Sequence, residues 1–163
     1  MKPLVVENLV PQEFLDYLTE IPIEWQRAKI NNNSISTVRR CWAESMSSNK
    51  TVKKIVEPLF ELYQDIETNN QIESQLILYK SADAGNYDLH QDVYYADNVR
   101  KLSMSLLVTD NFTGGEFQIM GETIDLNKGD AVIFPSFLPH AVAPVETGQR
   151  LSLVSWMYGP QWK

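Results

Sequence analysis

From about residue 71 onward the chain is a succession of short apolar or alternating segments, each ended by glycine or proline, and this punctuation constrains the fold more than any other feature. Segments 72–80, 86–92, 100–109, 115–120, 122–126, 130–135, 139–145 and 150–157 have the length and residue types of strands. Gly85, Gly114-Gly115, Gly121, Gly129, Pro135, Pro139 and Gly148 separate them. Gly and Pro adopt turn conformations that interrupt a strand ladder, so many short strands at this spacing predict an antiparallel sandwich or barrel. Leu102, Met104, Leu106 and Val108 alternate with Lys101, Ser103, Ser105 and Leu107, which predicts a strand with one buried face.

The first seventy residues read differently. A short strand over 3–10 leads into Pro11, which suits the first position of a helix carrying Phe14, Leu15 and Leu18 on one face. The Asn- and Ser-rich stretch 31–37 predicts a loop or the bend of a hairpin. Thr51 to Ile66 predicts a second helix, with Val52, Ile55, Val56, Leu59, Phe60 and Tyr63 at three- and four-residue steps and Pro58 inside as a candidate kink. The fold class expected is mainly β with N-terminal helices. At 163 residues the chain has room for one domain, with residues 1–70 as a helical support region and 71–163 as the β core.

Charge and cysteine usage narrow the function classes. Twenty-one acids against 14 bases give a net charge of −7, and the basic clusters Arg39-Arg40 and Lys50 to Lys54 are small. That balance argues against a nucleic-acid partner. No apolar run approaches the roughly 20 residues of a spanning helix, so no membrane role is expected. The stretch Met1 to Glu7 is too soon interrupted by charge for a signal peptide. With Cys41 as the single cysteine, no intrachain disulfide can form, and a cytoplasmic location is expected. Cys41 reads as a core residue rather than a nucleophile. Small size and an acidic surface suit a monomer or a weak dimer.

The candidate chemistry centres on the chain's two histidines, His90 and His140. Asp92 follows His90 by two, and residues i and i+2 of a strand share a face. His90 and Asp92 can therefore offer a ring nitrogen and a carboxylate oxygen to one point, with His140 as a third ligand from another strand. Two His and one carboxylate on one side of a metal leave the other side open, the pattern of non-haem Fe(II) oxygenases. An isolated His-x-Asp is also commonly just a surface pair, so its neighbours matter. Arg150 lies in an apolar strand with Leu151, Leu153, Val154 and Trp156, where a guanidinium is costly without an anionic partner. It can hold a carboxylate bidentately, and Ser152 on the same face can add a hydroxyl. A structural pair with an Asp or Glu is the other reading.

Three stretches carry a resemblance. Tyr79-Lys-Ser-Ala-Asp-Ala-Gly-Asn-Tyr87-Asp-Leu-His90-Gln-Asp92 resembles the opening of the catalytic core of 2-oxoglutarate- and Fe(II)-dependent dioxygenases, and the prolyl 4-hydroxylase branch is the most similar. The stretch from Arg100 to Phe117, with Gly114-Gly115-Glu116, resembles that branch's strand and turn. Gly129 to Trp156 resembles its second half. The likeness covers about residues 75–160. It implies a double-stranded β-helix, or jelly roll. It implies Fe(II) on His90, Asp92 and His140, the distal carboxylate of 2-oxoglutarate on Arg150 with help from Ser152, and Tyr79 lining the co-substrate pocket. Arg100 and Trp156 match positions near the target residue. O2 is the second substrate, ascorbate a possible reductant, and a protein or peptide containing proline the expected partner. The chemistry implied is hydroxylation of an unactivated C–H bond with release of succinate and CO2. Where some prolyl hydroxylases have a gripping tyrosine, this chain has Leu107. Tyr94 and Tyr95, just past Asp92, are candidates to close over a substrate, and half-exposed loop tyrosines are the plainer reading.

Other readings share parts of this pattern. The same chemistry on a free amino acid or another small molecule needs the same ligands. Nucleic-acid demethylases of the superfamily carry an Arg-x-Asn-x-x-x-x-x-Arg pattern, which the residues after Arg150 lack. A non-catalytic metal-binding jelly roll would tend to lose a ligand or the Arg. A cupin-type site uses His-x-His, whereas residue 92 is Asp.

Overall fold

The computed structural model describes residues 1–30, 37–93 and 97–162. In chain order its elements are β1 (Leu4–Val6), α1 (Gln12–Glu20), β2 (Gln26–Arg27), β3 (Arg39–Arg40), β4 (Trp42–Ser45), α2 (Lys50–Phe60), β5 (Ile72–Lys80), a short 3₁₀ turn at Ser81–Asp83, β6 (Asn86–His90), β7 (Asn98–Leu107), β8 (Phe112–Gly114), β9 (Phe117–Ile119), β10 (Glu122–Ile124), β11 (Ala131–Pro135), β12 (His140–Val142) and β13 (Val145–Pro160). They form two sheets. The larger runs β1-β11-β7-β13-β5-β4-β2, with β8 also paired to β13. The smaller runs β10-β9-β12-β6-β3. Pairing is antiparallel throughout. Two such sheets enclosing one interior make the jelly roll that the sequence predicts.

The N-terminal residues do more than supply helices. β1, β2 and β4 extend the large sheet and β3 closes one edge of the small one. β2 and β3 have two residues each and β4 has four, too short for alternation to show in the sequence. In α1, Pro11 sits one position before the first helical residue, and Phe14, Leu15 and Leu18 are buried as expected. α2 starts where Asn49 Oδ1 accepts a hydrogen bond from Val52 N at 3.0 Å, an N-cap. It ends at Phe60 rather than at Ile66. Pro58 offers no N–H to the preceding turn, and after it the chain closes with i→i+3 bonds such as Leu62 N to Leu59 O and Tyr63 N to Phe60 O.

Both faces of the large sheet are buried. Leu76, Leu78, Leu102, Met104, Leu106, Ile133 and Leu153 pack against Phe14, Leu15, Leu18, Val52, Val56 and Phe60 of the two helices. The opposite face looks into the space between the sheets, where Ile77, Tyr79, Val132 and Phe134 meet Phe117, Ile119 and Val142. β7 departs here from the sequence expectation of one buried face. Lys101, Ser103, Ser105 and Leu107 are buried as well, on the face turned to the second sheet, with the Lys101 ammonium 3.6 Å from the centre of the Trp162 ring. Polar residues on that face mark the inside of the roll and not solvent.

Candidate functional site

Strand register brings the candidate residues together. β12 lies beside β6 so that His140 pairs directly with His90. Across β5 and β13, Tyr79 faces Arg150, Ile77 faces Ser152, Gln75 faces Val154 and Glu73 faces Trp156. β7 sets Ser105 and Ser103 against Val154 and Trp156 on the other side of β13. By the two-residue period all these side chains enter the interior. All but Glu73 and Ser103 line a cavity of about 620 Å³, counting its open mouth, which also touches His90, Asp92 and His140.

His90, Asp92 and His140 each present a ligand atom, and these atoms all lie within 4.8 Å of one another. His140 Nε2 is 3.3 Å from Asp92 Oδ2 and His90 Nε2 is 3.7 Å from Asp92 Oδ1. β6 ends at His90, so Asp92 lies just beyond the strand expected over 86–92. It converges because its N–H bonds to Ser136 O at 3.0 Å, tying it to the loop before His140. The rings are oriented from behind. His90 Nδ1 lies 2.7 Å from Asp88 O and His140 Nδ1 2.9 Å from Leu138 O. A carbonyl only accepts, so each Nδ1 carries the proton and each Nε2 keeps its lone pair for a cation. Tyr87 stacks on His90 at 3.5 Å between ring centroids, and Phe134 meets His140 edge-on at 4.9 Å.

The carboxylate is held as firmly. Asp92 Oδ2 accepts from Ser103 Oγ at 2.7 Å and from Trp156 Nε1 at 2.8 Å. Burial alone would raise its pKa, but the adjoining His140 imidazole and the hydrogen bond from Ser103 hold it below the usual carboxylate range. Burial, and then the neighbouring His140, push His90 down to about 4. Burial also pushes His140 down, but the Asp92 partner outweighs it and leaves His140 above its ordinary value. A neutral imidazole, an anionic carboxylate and a second imidazole drawn toward that anion form a donor set suited to a divalent cation.

At the closed end Arg150 is 2% exposed. Its Nη1 donates to Ser152 Oγ, its Nε has no partner, and among the described residues no carboxylate pairs with it. The structural Arg–Asp or Arg–Glu pair is therefore not what fills this position. Burial lowers its pKa. Gly115 makes room for it: a Cβ there, already strained at φ +66°, would stand 3.0 Å from Arg150 Cδ. An orphaned buried guanidinium beside an open cavity fits a ligand carboxylate. Tyr79 is buried next to it, its ring 5.8 Å from the guanidinium carbon, and burial pushes its phenol far above the ordinary range.

Residues expected near the target sit at the other end. Arg100 and Trp156 both line the cavity. Arg100 stacks over Trp156 at 3.8 Å and is bound to Glu73 Oε2 at 2.8 Å, which also accepts from Tyr158 at 2.6 Å. Tyr94 and Tyr95 lie outside the described residues, as does most of the 31–37 stretch. The sequence reading missed Ser103, Ser136, Tyr87, Phe134, Gln75 and Arg39. The serines on β7 were visible only as alternation, and Arg39 only as half of a small basic cluster.

Residues 74–158 match the family model of the 2OG-Fe(II) oxygenase superfamily. The chain belongs to that superfamily. It is 28% identical over 177 residues to a PKHD-type hydroxylase of Hyphomonas neptunium, covering 94% of this chain and 77% of the relative. In fold it is similar to a Pseudomonas putida prolyl-4-hydroxylase, with a TM-score of 0.74 and 18% identity over 98% of this chain and 93% of the other. A viral collagen prolyl hydroxylase from Paramecium Bursaria Chlorella virus-1, solved with 2-oxoglutarate, gives a TM-score of 0.73 and 16% identity over 98% and 97%. This member of the superfamily is a 2-oxoglutarate-dependent Fe(II) dioxygenase, and its cofactor and co-substrate are Fe(II) and 2-oxoglutarate. Among the described residues no helix is long and apolar enough to cross a membrane.

Proposed function

We propose that this dioxygenase hydroxylates a peptidyl proline, in the manner of a prolyl 4-hydroxylase, with release of succinate and CO2. The observation that carries the co-substrate half of this reading is Arg150, a buried guanidinium with a hydroxyl partner and no acid, at the closed end of a cavity whose middle holds the His-Asp-His group. The proline half is supported by the likeness in fold to two prolyl hydroxylases.

In this reading His90 Nε2, His140 Nε2 and Asp92 hold the metal. Asp92 Oδ2 is engaged by Ser103 and Trp156, which leaves Oδ1 as the freer oxygen. Arg150 and Ser152 bind the distal carboxylate of 2-oxoglutarate, and Tyr79 borders it. When bound, the metal and co-substrate supply O2 activation coupled to decarboxylation. Ile77, Val154 and Phe134 wall the cavity with hydrocarbon and keep stray water from the reacting centre. The target side chain enters from the mouth, past the Arg100–Glu73–Tyr158 network. No side chain needs to act as a nucleophile.

The test is an anaerobic titration of the metal-free protein with Fe(II) and 2-oxoglutarate, followed by its visible charge-transfer band, then incubation with O2 and proline-containing peptides. The band is expected in the wild type and absent in His140→Ala and Arg150→Ala. A mass gain of one oxygen on a peptide proline, with stoichiometric succinate, is the expected product. A folded wild-type protein that gives no band loses the metal and co-substrate assignment. A band with no oxygen gained by any proline peptide rejects the proline assignment alone.

A further inference from the structure

One cation in the cavity is unaccounted for by the chemistry above. Three arginines line it: Arg39, Arg100 and Arg150. Arg100 is neutralised by Glu73 at 2.8 Å. The two charges of Fe(II) and the one of Arg150 are matched by Asp92 and the two carboxylates of 2-oxoglutarate. Arg39 remains. Its Nη1 donates to the Lys29 carbonyl at 3.0 Å, its Nε is shut from solvent without a partner, and among the described residues no carboxylate pairs with it. The groups around it carry no charge near neutral pH, being a thiol and phenols: the Tyr87 ring lies 4.9 Å below the guanidinium carbon, and Cys41 and Tyr79 are buried. The protein as a whole carries a net charge of −7, so a lone positive group on this wall stands out against its field.

The column Arg39, Tyr87, His90 gives the location. The guanidinium stacks on Tyr87, and Tyr87 stacks on the His90 imidazole. Arg39 is thus two stacked layers from the proposed metal, too far to touch the reacting carbon and near enough to read a group beside it. Arg39 is held on β3, which pairs with β6 through Arg39 and Tyr87, so its distance from His90 is set by the sheet.

We propose that Arg39 recognises a carboxylate of the primary substrate, and so selects an acid next to the hydroxylated carbon. The inference rests on the hydroxylase reading above. The carboxylate has two possible sources, the side chain of an acidic residue flanking proline in a peptide or the α-carboxylate of a free amino acid.

Fluorescently labelled peptides with one proline flanked by Glu or by Gln separate the alternatives. Binding is measured by anisotropy on the full chain loaded with Mn(II) and 2-oxoglutarate, with L-proline and L-prolinamide as competitors. The wild type is expected to bind the Glu peptide about tenfold or more tightly than the Gln peptide, the range for a lost charge-assisted hydrogen bond. Arg39→Gln removes the preference, Arg39→Lys keeps part of it, and half-saturating 2-oxoglutarate moves by less than about twofold in both, which also reports that they fold. Displacement by L-proline and not by L-prolinamide supports the free amino acid as the source. Equal binding of Glu and Gln peptides, with L-proline no better a competitor than L-prolinamide, overturns the proposal, as does a preference that survives Arg39→Gln. A several-fold rise in the 2-oxoglutarate requirement overturns it too, by assigning Arg39 to the co-substrate. If the preference is absent while Gln peptides still gain oxygen, proline hydroxylation stands without the Arg39 role. If the preference is present and no proline gains oxygen, the Arg39 role stands and the proline reading falls. If neither peptides nor proline bind, both fall.

Discussion

The two faces of the large sheet are equally hidden from water and differ in almost everything else. On the helix side Leu76, Met104, Leu106 and Leu153 are fully buried among hydrocarbon side chains of α1 and α2. On the cavity side the same strands bury Ser103, Ser105, Arg150, Ser152 and Trp156. The first face is closed by packing. The second keeps open space and unsatisfied donors, of which Arg150 Nε is the clearest. Burial therefore does not distinguish core from site in this protein. What does is whether the buried polar groups find their partners within the chain.

That contrast is sharpest at the metal group. Asp92→Ala removes a proposed ligand whose second oxygen is already engaged, and among the described residues the group holds no other carboxylate. The expected result is loss of tight Fe(II) binding and a fall in turnover of at least about a thousandfold, measured by metal retention after gel filtration and by succinate release. Retained Fe(II) at wild-type affinity would detach Asp92 from the metal.

Leu153→Ala probes the other face of the same strand. It removes hydrocarbon from a site with no cavity and is expected to cost about 2–5 kcal/mol in a denaturant melt. The 2-oxoglutarate requirement of the folded fraction should stay near the wild-type value. Arg150→Met inverts the pattern. The co-substrate requirement should rise about a hundredfold, the scale of a lost bidentate pair, while stability without co-substrate should hold or improve, because a desolvated guanidinium without an acid gives way to a side chain of similar volume that needs none. A large loss of stability in Arg150→Met would show the arginine to be structural and erase the contrast between the faces.

Much of this was legible before any coordinates. Eight short segments with Gly/Pro punctuation predict a sandwich or barrel, the family resemblance narrows this to a jelly roll, and β5 matches its expected span of 72–80 to the residue. His90, Asp92, His140, Arg150 and Ser152 stand out as the chain's two histidines, an acid two residues from one of them, and an arginine and serine sharing the face of an apolar strand, and the fold gathers them around one cavity. What escaped has physical reasons. β2, β3 and β4 are too short for periodicity to register. α2 runs through Pro58 and stops at Phe60, where i→i+3 bonds replace the helical pattern. The alternation in β7 predicts a half-exposed strand because serine and lysine ordinarily face water, whereas in the fold Ser105 lines the cavity, Ser103 binds Asp92 and Lys101 lies over Trp162. Arg39 could not be told from a surface arginine, since its meaning depends on which acids are absent around it.

Trp156 is where the two kinds of burial meet, and it yields the smallest and most discriminating prediction. The family resemblance matches this residue to a position near the target. In the fold it is 5% exposed, covered by Arg100 on one ring face, and its indole N–H is committed to Asp92 Oδ2. These contacts suit a residue that positions Asp92. Trp156→Phe keeps an aromatic ring and deletes the donor, so the two roles predict opposite readouts. If Trp156 positions Asp92, Fe(II) affinity should fall about tenfold, the lower end for an outer-shell hydrogen bond, with the KM for peptide nearly unchanged. If it is a wall for the substrate, the KM for peptide should rise and metal affinity should not move. The carboxylate retains Ser103 as its second donor at 2.7 Å, and for that reason the effect should be a weakening and not a loss.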